Sequence, residues 1–435
     1  MPGSPDLPGP APDSILDPAL SAPQLGILAA ETWAPDPATY TVVSPVEVSG
    51  VPTWEELPEA ARATITRHEV FAWQPAVSPA GDIIVTVEDS DVLATENVDL
   101  RAADPEHAGT TIQKRLRRER HRYVQVLERA ARPHTTIIFF RRGQDSGVCA
   151  LVTHHLFVDE HAVDLLWNEI FRRAAGQPVP TGHDPRYRCW AQTTISEPAR
   201  AAGRQATLEA ATALRDATLT STGTSTVRRA EPTALLRFAI PPEVTDGCAR
   251  QARIARVPVA AVYGAAFGDV LRDHFGSPAV TVAVPVSRRA DLADHDVVGC
   301  YVNTVWVPAR PAAGTVETIR RWQHDLEFAA ARSHADIAQL RPLLGGEPHA
   351  MLSFESRAGH RATGSVRWRQ LPPPDSPAKA GLACFLAPGT RQTPGDGRLL
   401  WRDGVLDDAA AGCMTRSFLE TLARYAGLAT DQEHR

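Results

Sequence analysis

Apolar and polar positions alternate with two different periods along the chain. Residues 135–140 and 148–152 are β-branched, aromatic or apolar and are separated by a polar turn, which predicts a β-hairpin. Residues 108–129 instead place apolar side chains every three or four positions, which predicts a long helix with arginines on its outer face. Thr53 and Glu56 have the spacing of a capping box and predict the start of another helix.

The second half of the chain repeats this mixture. Strands are predicted near 280–284 and 301–307, and helices near 259–275 and 316–333. No short-period repeat is present, so a solenoid or a propeller is not indicated. Strands and helices that alternate throughout predict an α/β protein.

Composition divides the chain into three parts. Five prolines fall in the first twelve positions, so we expect residues 1–19 to form a disordered Pro-rich tail. A polar zone rich in Ser, Thr and Gly lies within residues 177–237, between the two sets of predicted strands and helices. We therefore expect an N-terminal lobe over 20–182 and a C-terminal lobe over 183–435.

Charge and cysteine usage narrow the class of protein. The 435 residues include 45 basic and 51 acidic ones, a net charge of −6, so we expect neither nucleic acid nor an anionic membrane as a partner. Only Lys114 and Lys379 are lysines, so arginine is the default basic residue and its presence alone is no functional signal. Six widely spaced cysteines, no positive signal-peptide region and no long apolar run predict a cytoplasmic protein.

Candidate chemistry is concentrated after the second strand of the predicted hairpin, in the sequence His154-His155-Leu156-Phe157-Val158-Asp159. Adjacent histidines on an extended backbone point to opposite sides, so one faces a given cavity and the other packs. Two alternatives stand beside a chemical role. The pair can be two satisfied core histidines, or it can join Asp159, Glu160 and His161 in a metal site, although this spacing matches no zinc motif.

Other catalytic motifs are missing from the sequence. There is no GxSxG elbow, so a covalent serine mechanism is not indicated. There is also no GxGxxG or Walker sequence, so nicotinamide and nucleotide triphosphate cofactors are not indicated.

The segment His154-His155-x-x-x-Asp159 resembles the HHxxxDG signature of the condensation domains of non-ribosomal peptide synthetases. Other segments resemble the remaining motifs of that family in the family's order, and with them the resemblance runs from about Ser21 to Ala426. They are Ser21-Ala22-Pro23-Gln24, Arg67-His68-Glu69, Tyr187 to Trp190, Pro285-Val286-Ser287-Arg288-Arg289, Gly299-Cys300-Tyr301-Val302-Asn303-Thr304, Met351 to Glu355 and Ala378-Lys379-Ala380.

The resemblance implies a fold and an activity. The fold would be two lobes like chloramphenicol acetyltransferase in a V arrangement, with the active site in a tunnel between them. The activity would be that of a freestanding condensation enzyme of non-ribosomal peptide or related secondary-metabolite biosynthesis. It would transfer an acyl, aminoacyl or peptidyl group from a carrier-protein thioester to an amine or a hydroxyl.

The same resemblance implies what the enzyme binds. The donor would arrive as a phosphopantetheine thioester on an acyl or peptidyl carrier protein, and the acceptor would be a small molecule or carrier-bound. No cofactor or metal of the enzyme's own is implied.

Site residues follow residue by residue from the matched motifs. His155 would accept or hydrogen-bond a proton of the attacking group, and neutral imidazole suits that role at cellular pH. Asp159 would pair with Arg289 in the other lobe, unless Arg289 is a surface arginine of an arginine-rich chain. His154 would support the motif loop through a hydrogen bond. Gly299 and Asn303 follow by motif position only.

One departure from the signature is Glu160, which stands where the family has glycine. It is either an ordinary first-turn acid that the helix dipole favours or a possible contact to the acceptor, where it would favour a small cationic amine. The basic run over 114–122 is either a solvated helix face or a docking patch for an acidic carrier protein.

Two other functions stay open at this point. A coenzyme A dependent acyltransferase of the same superfamily shares HxxxD, but the DFGWG segment of the plant-type enzymes is missing. A non-catalytic condensation-like domain that recruits partners to a carrier protein is the alternative outside enzymes.

Overall fold

The computed structural model describes residues 17–34, 36–88, 92–122, 135–217, 219–221, 233–355, 361–374, 379–390 and 393–428. Most of the expected tail and the end of the helix predicted over 108–129 lie outside these residues. The helices are α1 (Ala22–Trp33), α2 (Leu57–Arg67), α3 (Pro105–Arg122), α4 (Glu160–Ala174), α5 (Arg186–Ile195), α6 (Glu197–Ala213), α7 (Pro242–Ala255), α8 (Val259–Phe275), α9 (Thr315–Ala330), α10 (Ile337–Leu344) and α11 (Asp408–Tyr425).

The strands form two large sheets and two short ribbons. They are β1 (Thr41–Ser49), β2 (Trp73–Val77), β3 (Ile83–Val87), β4 (Leu93–Asp99), β5 (Thr135–Arg141), β6 (Gly147–His154), β7 (Thr220–Ser221), β8 (Thr233–Ile240), β9 (Val280–Ser287), β10 (Val302–Ala309), β11 (Gly346–Glu347), β12 (Ala350–Phe354), β13 (Arg361–Thr363), β14 (Val366–Gln370), β15 (Leu382–Ala387) and β16 (Gly395–Arg402).

The first sheet has the order β13-β14-β1-β6-β5-β4, and its centre is the predicted hairpin of β5 and β6. Both strands of the hairpin are buried on both faces. Ile137 and Phe139 face the core that α2 and α4 share, whereas Ile138 and Phe140 face the core under α3. This burial on both faces explains why the hairpin reads as two continuous apolar runs.

The second sheet has the order β10-β9-β12-β15-β16-β8. Helices α7, α8, α9 and α11 supply the core on one face, and α6 and α10 supply a smaller core on the other. The protein is therefore α/β with two sheet-containing lobes, as the sequence predicts.

Strands β13 and β14 cross from the second half of the chain into the first sheet. Antiparallel pairing joins β14 to β1, with Val46 opposite Gln370 and Ser49 opposite Arg367. Trp368 on β14 is 1% exposed and belongs to the first core. The expectation that 183–435 forms one separate lobe is therefore wrong for these strands, because strand alternation predicts a strand but does not identify its partner.

The capping box predicted at Thr53 is also wrong. Thr53 makes no side-chain cap; a short 3₁₀ helix follows it, and α2 begins at Leu57. A capping box instead opens α1, where the Ser21 hydroxyl accepts from the Gln24 N–H and the Gln24 side chain accepts from the Ser21 N–H.

Within the described ranges, no helix taken singly has the length and apolar composition to cross a membrane. Helices α7 and α8 meet that test only when they are joined, and they are bent by 104° relative to each other.

Candidate active site

The His-His motif lies at the point where the central strand of the first sheet ends. Strand β6 ends at His154, which is paired with Thr41 at the start of β1. The His155 N–H then donates to the Tyr40 carbonyl at 2.8 Å. A turn follows, and Asp159 caps α4 by accepting from the Ala162 N–H at 2.7 Å. Strand, turn and helix cap therefore fix the position of each motif side chain.

His154 is buried, and both nitrogens of its ring have a hydrogen-bond partner. Its Nδ1 accepts from the Leu156 N–H at 3.0 Å, and its Nε2 lies 3.1 Å from the Glu31 carboxylate. A nitrogen that accepts carries no proton, so the proton of the neutral ring is on Nε2 and points to Glu31. His154 thus holds the turn and α1 together, in keeping with the supporting role that the motif implies.

His155 is half-buried, in contrast to its neighbour. Its Nδ1 lies 3.8 Å from the Cys300 thiol of the second half. Burial, and then the positive charge of Lys379, lower the pKa of His155 well below its usual value of 6.5. The ring is therefore neutral at cellular pH and partly accessible, which are the two properties that a proton acceptor needs.

Asp159 and Arg289 form a buried ion pair between the two halves of the chain. The guanidinium donates to both carboxylate oxygens, and the Tyr301 N–H donates to Oδ2 at 3.0 Å. The side chains are only 2% and 3% exposed, which excludes the alternative of a surface arginine. Asp159 thus joins α4 to the 289–301 segment.

Arg289 also holds its own loop together. It donates to the backbone carbonyls of Asp294, Val297 and Gly299, and its guanidinium carbon lies 4.1 Å from the centre of the Tyr301 ring. These contacts engage both terminal nitrogens of the buried guanidinium, Nη1 and Nη2.

Gly299 is needed because Tyr187 packs directly on it. A Cβ at this position would lie 2.1 Å from Cδ2 of the Tyr187 ring, closer than any real contact. The Tyr187 hydroxyl donates to the Cys300 carbonyl at 2.8 Å. The glycine therefore allows the aromatic side chain of α5 to hold the segment that contains Cys300.

Asn303 does not reach this group of side chains. Its amide donates to the Ser333 carbonyl at 2.5 Å, and its carbonyl oxygen accepts from the Thr304 N–H. Among the described residues, no hydrogen bond joins it to His155, Asp159 or Arg289. In the structure Asn303 fixes β10 to the turn after α9, and its supporting role at the site stays a prediction from motif position.

Glu160 is exposed as the first residue of α4. This position fits an ordinary first-turn acid near the positive end of a helix dipole. A contact to the acceptor stays a prediction. The next residue, His161, has its Nε2 2.7 Å from the His295 carbonyl and adds a second link between the halves.

The residues of the alternative metal site are engaged elsewhere. His154 bonds Glu31, and Asp159 bonds Arg289. Across the described ranges, no group of three or more His, Cys, Asp or Glu side chains has a geometry that could hold a metal ion.

Several residues that support the site have no role that the sequence predicts. Gln24 donates to the Leu156 carbonyl at 2.8 Å, so the helix cap of α1 also holds the motif turn. The spacing of Ser21 and Gln24 is that of a capping box, which was the available signal. Tyr187 is buried among Trp73, Trp190 and Tyr301.

The Arg-His-Glu motif at the end of α2 is structural. Arg67 pairs with Glu169 of α4 and with Asp184, and His68 lies 3.1 Å from Glu169. Glu69 accepts from the Trp73 indole at 2.9 Å. The motif therefore joins α2, α4 and the start of α5, and we assign it no chemical role.

The basic run on α3 divides into paired and exposed residues. Arg115 pairs with Glu96 and Glu119, and Arg120 is buried. Lys114, Arg117 and Arg118 are exposed. His121 and Arg122 are exposed as well, Arg122 in a pair with Glu119, and the exposed side chains of the run are the candidates for the docking patch.

One comparison with known proteins identifies a family, and another identifies solved structures with the same fold. A family model described as Condensation domain matches residues 17–362. Among solved structures, the first condensation domain of the calcium-dependent antibiotic synthetase, in complex with a substrate analogue, has a TM-score of 0.79 at 18% identity, and the match covers 97% of this chain and 99% of that chain. The comparison with curated proteins finds no match.

Two further solved structures have the same fold. The SgcC5 protein from Streptomyces globisporus has a TM-score of 0.75 at 17% identity, over 94% of this chain and 99% of that chain. A chain from the complex of the X-domain and OxyB from teicoplanin biosynthesis has a TM-score of 0.73 at 16% identity, and the match covers 97% of this chain and 96% of that chain. At such identities the likeness extends to the fold.

Proposed function

This chain belongs to the condensation-domain family, whose general chemistry is acyl transfer in non-ribosomal peptide and polyketide-related biosynthesis, and we propose that it is an acyltransferase with His155 as its proton acceptor. The donor is an acyl, aminoacyl or peptidyl thioester on a separate carrier protein, and the acceptor is an amine or a hydroxyl. We place the reaction in a tunnel between the two lobes and the protein in the cytoplasm. The supporting observation is the accessible, neutral His155 ring beside a buried histidine and a buried ion pair.

The proposed reaction needs little from the enzyme beyond positioning and one proton acceptor. The acceptor nitrogen or oxygen bonds to the thioester carbon, and the C–S bond breaks. The proton of the acceptor passes by way of His155 to the departing phosphopantetheine thiolate. Because an α-amine with a pKa near 8 is already partly neutral in the cell, alignment of the two substrates contributes alongside base strength.

In this reaction the phosphopantetheine arm is part of the substrate, and the enzyme uses no cofactor of its own. Asp159 and Arg289 act as positioning residues, since they fix the start of α4 and the Cys300 segment on either side of His155. His154 holds the turn from the opposite side. The partners are therefore a carrier protein and a small-molecule or carrier-bound acceptor.

Mass spectrometry of product formed from an acetyl- or aminoacyl-loaded carrier protein and a panel of amines tests the proposal. We expect product with wild type and a rate lower by about 10²- to 10⁴-fold with His155→Ala, the usual contribution of a general base. Product from acetyl coenzyme A but from no carrier thioester would identify a coenzyme A dependent acyltransferase instead. Carrier binding with no product would contradict the proposal and favour a recruitment domain. Product whose rate does not change in His155→Ala would contradict the assignment of His155 as the proton acceptor.

A further inference from the structure

Lys379 is one of only two lysines in a chain with 45 basic residues, and its positive charge lowers the pKa of His155. The other lysine, Lys114, is exposed on α3. Since the chain otherwise uses arginine for positive charge, composition does not account for a lysine at this place.

The lysine lies between β14 and β15 and is half-buried. Its Nζ is 5.4 Å from the centre of the Tyr40 ring, and the Tyr40 carbonyl accepts from the His155 N–H. Its positive charge lowers the pKa of the His155 ring and of the Cys300 thiol. The His155 Nδ1 and the Cys300 sulfur lie 3.8 Å apart. The ammonium therefore lies over the residue that holds the His155 backbone, within electrostatic range of the proposed proton acceptor.

No carboxylate in the described part of the chain forms an ion pair with Lys379, and its charged end instead faces the Tyr40 ring. The buried Arg289 guanidinium, by contrast, is paired with Asp159. An unpaired charge in a protein interior is costly, and chains keep one mainly where a ligand supplies the partner. Burial lowers the pKa of Lys379 to about 8, so the amine is still mainly charged at pH 7.

Cys300 offers a competing explanation for this group, since a thiol beside a histidine is a common nucleophile. The residue is 0% exposed, and burial raises the pKa of its thiol to about 12. A buried thiol of this kind is inert. Cys300 therefore packs against His155 and does not act on substrate.

We propose that the Lys379 ammonium is the anion-binding group of this site and receives an anionic oxygen of the acyl-transfer substrate. The oxygen has two possible sources: the oxyanion formed at the thioester carbonyl, or a carboxylate on the donor or acceptor. In the first case, addition of the acceptor moves the carbonyl π electrons onto oxygen. They return when the C–S bond breaks. The proposal rests on the function given above, because it needs acyl transfer at His155.

A binding experiment tests the anion site without turnover. Because the chain has two lysines, ε-¹³C-lysine labelling of the full chain gives two side-chain NMR signals, which Lys114→Met and Lys379→Met assign. We expect the Lys379 signal to titrate near pH 8 and acetate to raise its pKa, whereas acetamide does not and Lys114 is unaffected. An ordinary titration of Lys379, or acetate shifts of equal size at both lysines, would overturn the proposal.

Turnover assays then identify the source of the anion. Loss of the charge in Lys379→Met lowers kcat about 100-fold if the group binds the oxyanion, with Lys379→Arg retaining part of the rate. If it binds a substrate carboxylate, wild type prefers a carboxylate-bearing amine to its carboxamide by at least about tenfold, and Lys379→Met loses that preference. Unchanged kcat and KM in Lys379→Met would overturn the proposal while product formation continued to support the proposed acyl transfer.

Discussion

The Arg289 guanidinium donates to both carboxylate oxygens of Asp159, at 3.0 and 3.2 Å, across 130 positions of sequence. One partner caps the helix that follows the His-His turn, and the other fixes the segment that contains Cys300. The two sides of the proposed reaction site are therefore held by a single buried ion pair.

Arg289→Met is expected to destabilise the protein by about 3 to 5 kcal/mol, because it leaves the Asp159 carboxylate buried without its partner. Urea unfolding measures the loss. Adding Asp159→Asn should recover part of it, since the unpaired charge is then removed. The matched control is Arg204→Met, which breaks an exposed pair with Glu197 and should cost less than about 1 kcal/mol. Equal effects of the two single substitutions would contradict the buried pair.

Gly299→Ala should destabilise the protein by about 1 to 3 kcal/mol, because the added Cβ meets the Tyr187 ring at 2.1 Å. Gly109→Ala in α3 is the control. A Cβ there has no heavy atom within 4 Å, so alanine should stabilise the helix by about 0.5 to 1 kcal/mol. Thermal unfolding of both variants would show opposite shifts, and shifts of the same sign would contradict this account of Gly299.

The pH dependence of kcat/KM should reflect the lowered pKa of His155. The assay uses a hydroxyl acceptor, which does not titrate in this range. A histidine base with an ordinary pKa then loses activity below pH 6.5, whereas here the rate should stay level through pH 6.5 and fall only at lower pH. Lys379→Met removes a nearby positive charge and should move the fall to higher pH. A wild-type profile that bends at 6.5 would show that the ring is not held neutral.

The same shift affects stability, with a sign that linkage fixes. Below pH 6.5 the unfolded chain binds a proton at His155 before the folded protein does. Folding stability therefore decreases as the pH falls through this range.

Lys379→Met is expected to be more stable than wild type at pH 7, because folding buries the ammonium and no carboxylate of the described residues pairs with it. Between pH about 8 and 10.5 the unfolded wild type holds more protons at this lysine than the folded protein, so wild-type stability rises with pH and the difference narrows. Urea unfolding at pH 7 and pH 10 compares the two. A variant less stable than wild type at pH 7 would indicate a structural lysine.

Charge reversal at Lys114 and Arg118 should weaken binding of an acidic carrier protein if α3 is the docking patch. The loss should shrink as salt rises, because screening already weakens the wild-type interaction. Arg250→Glu combined with Arg253→Glu is the control, because these two exposed reversals on α7 change the net charge by the same amount. Calorimetric titration with the carrier measures both, and equal losses would show an effect of net charge alone.

The sequence predicts those parts of the fold that depend on local pattern. The sequence predicts the hairpin of β5 and β6 from two apolar runs, and the structure shows two buried strands there. The His-His motif lies at the end of the hairpin, as predicted. Three features depend on distant partners and are not predicted by the sequence: the pairing of β14 with β1, the link from Gln24 to the motif turn, and the contact of Lys379 with the Tyr40 ring. A capping pattern and a rare residue type were visible in advance, but only the folded chain shows what they contact.

The pairing of β14 with β1 means that the two lobes cannot be produced separately by cutting the chain at its middle. A fragment ending at residue 182 would lack Val366 to Gln370, and the backbone of Val46 to Ser49 would become an open sheet edge. Such an edge recruits strands from other copies, so the isolated fragment is prone to aggregate. A fragment that contains the whole first sheet would have to include Arg361 to Gln370 together with the first half of the chain.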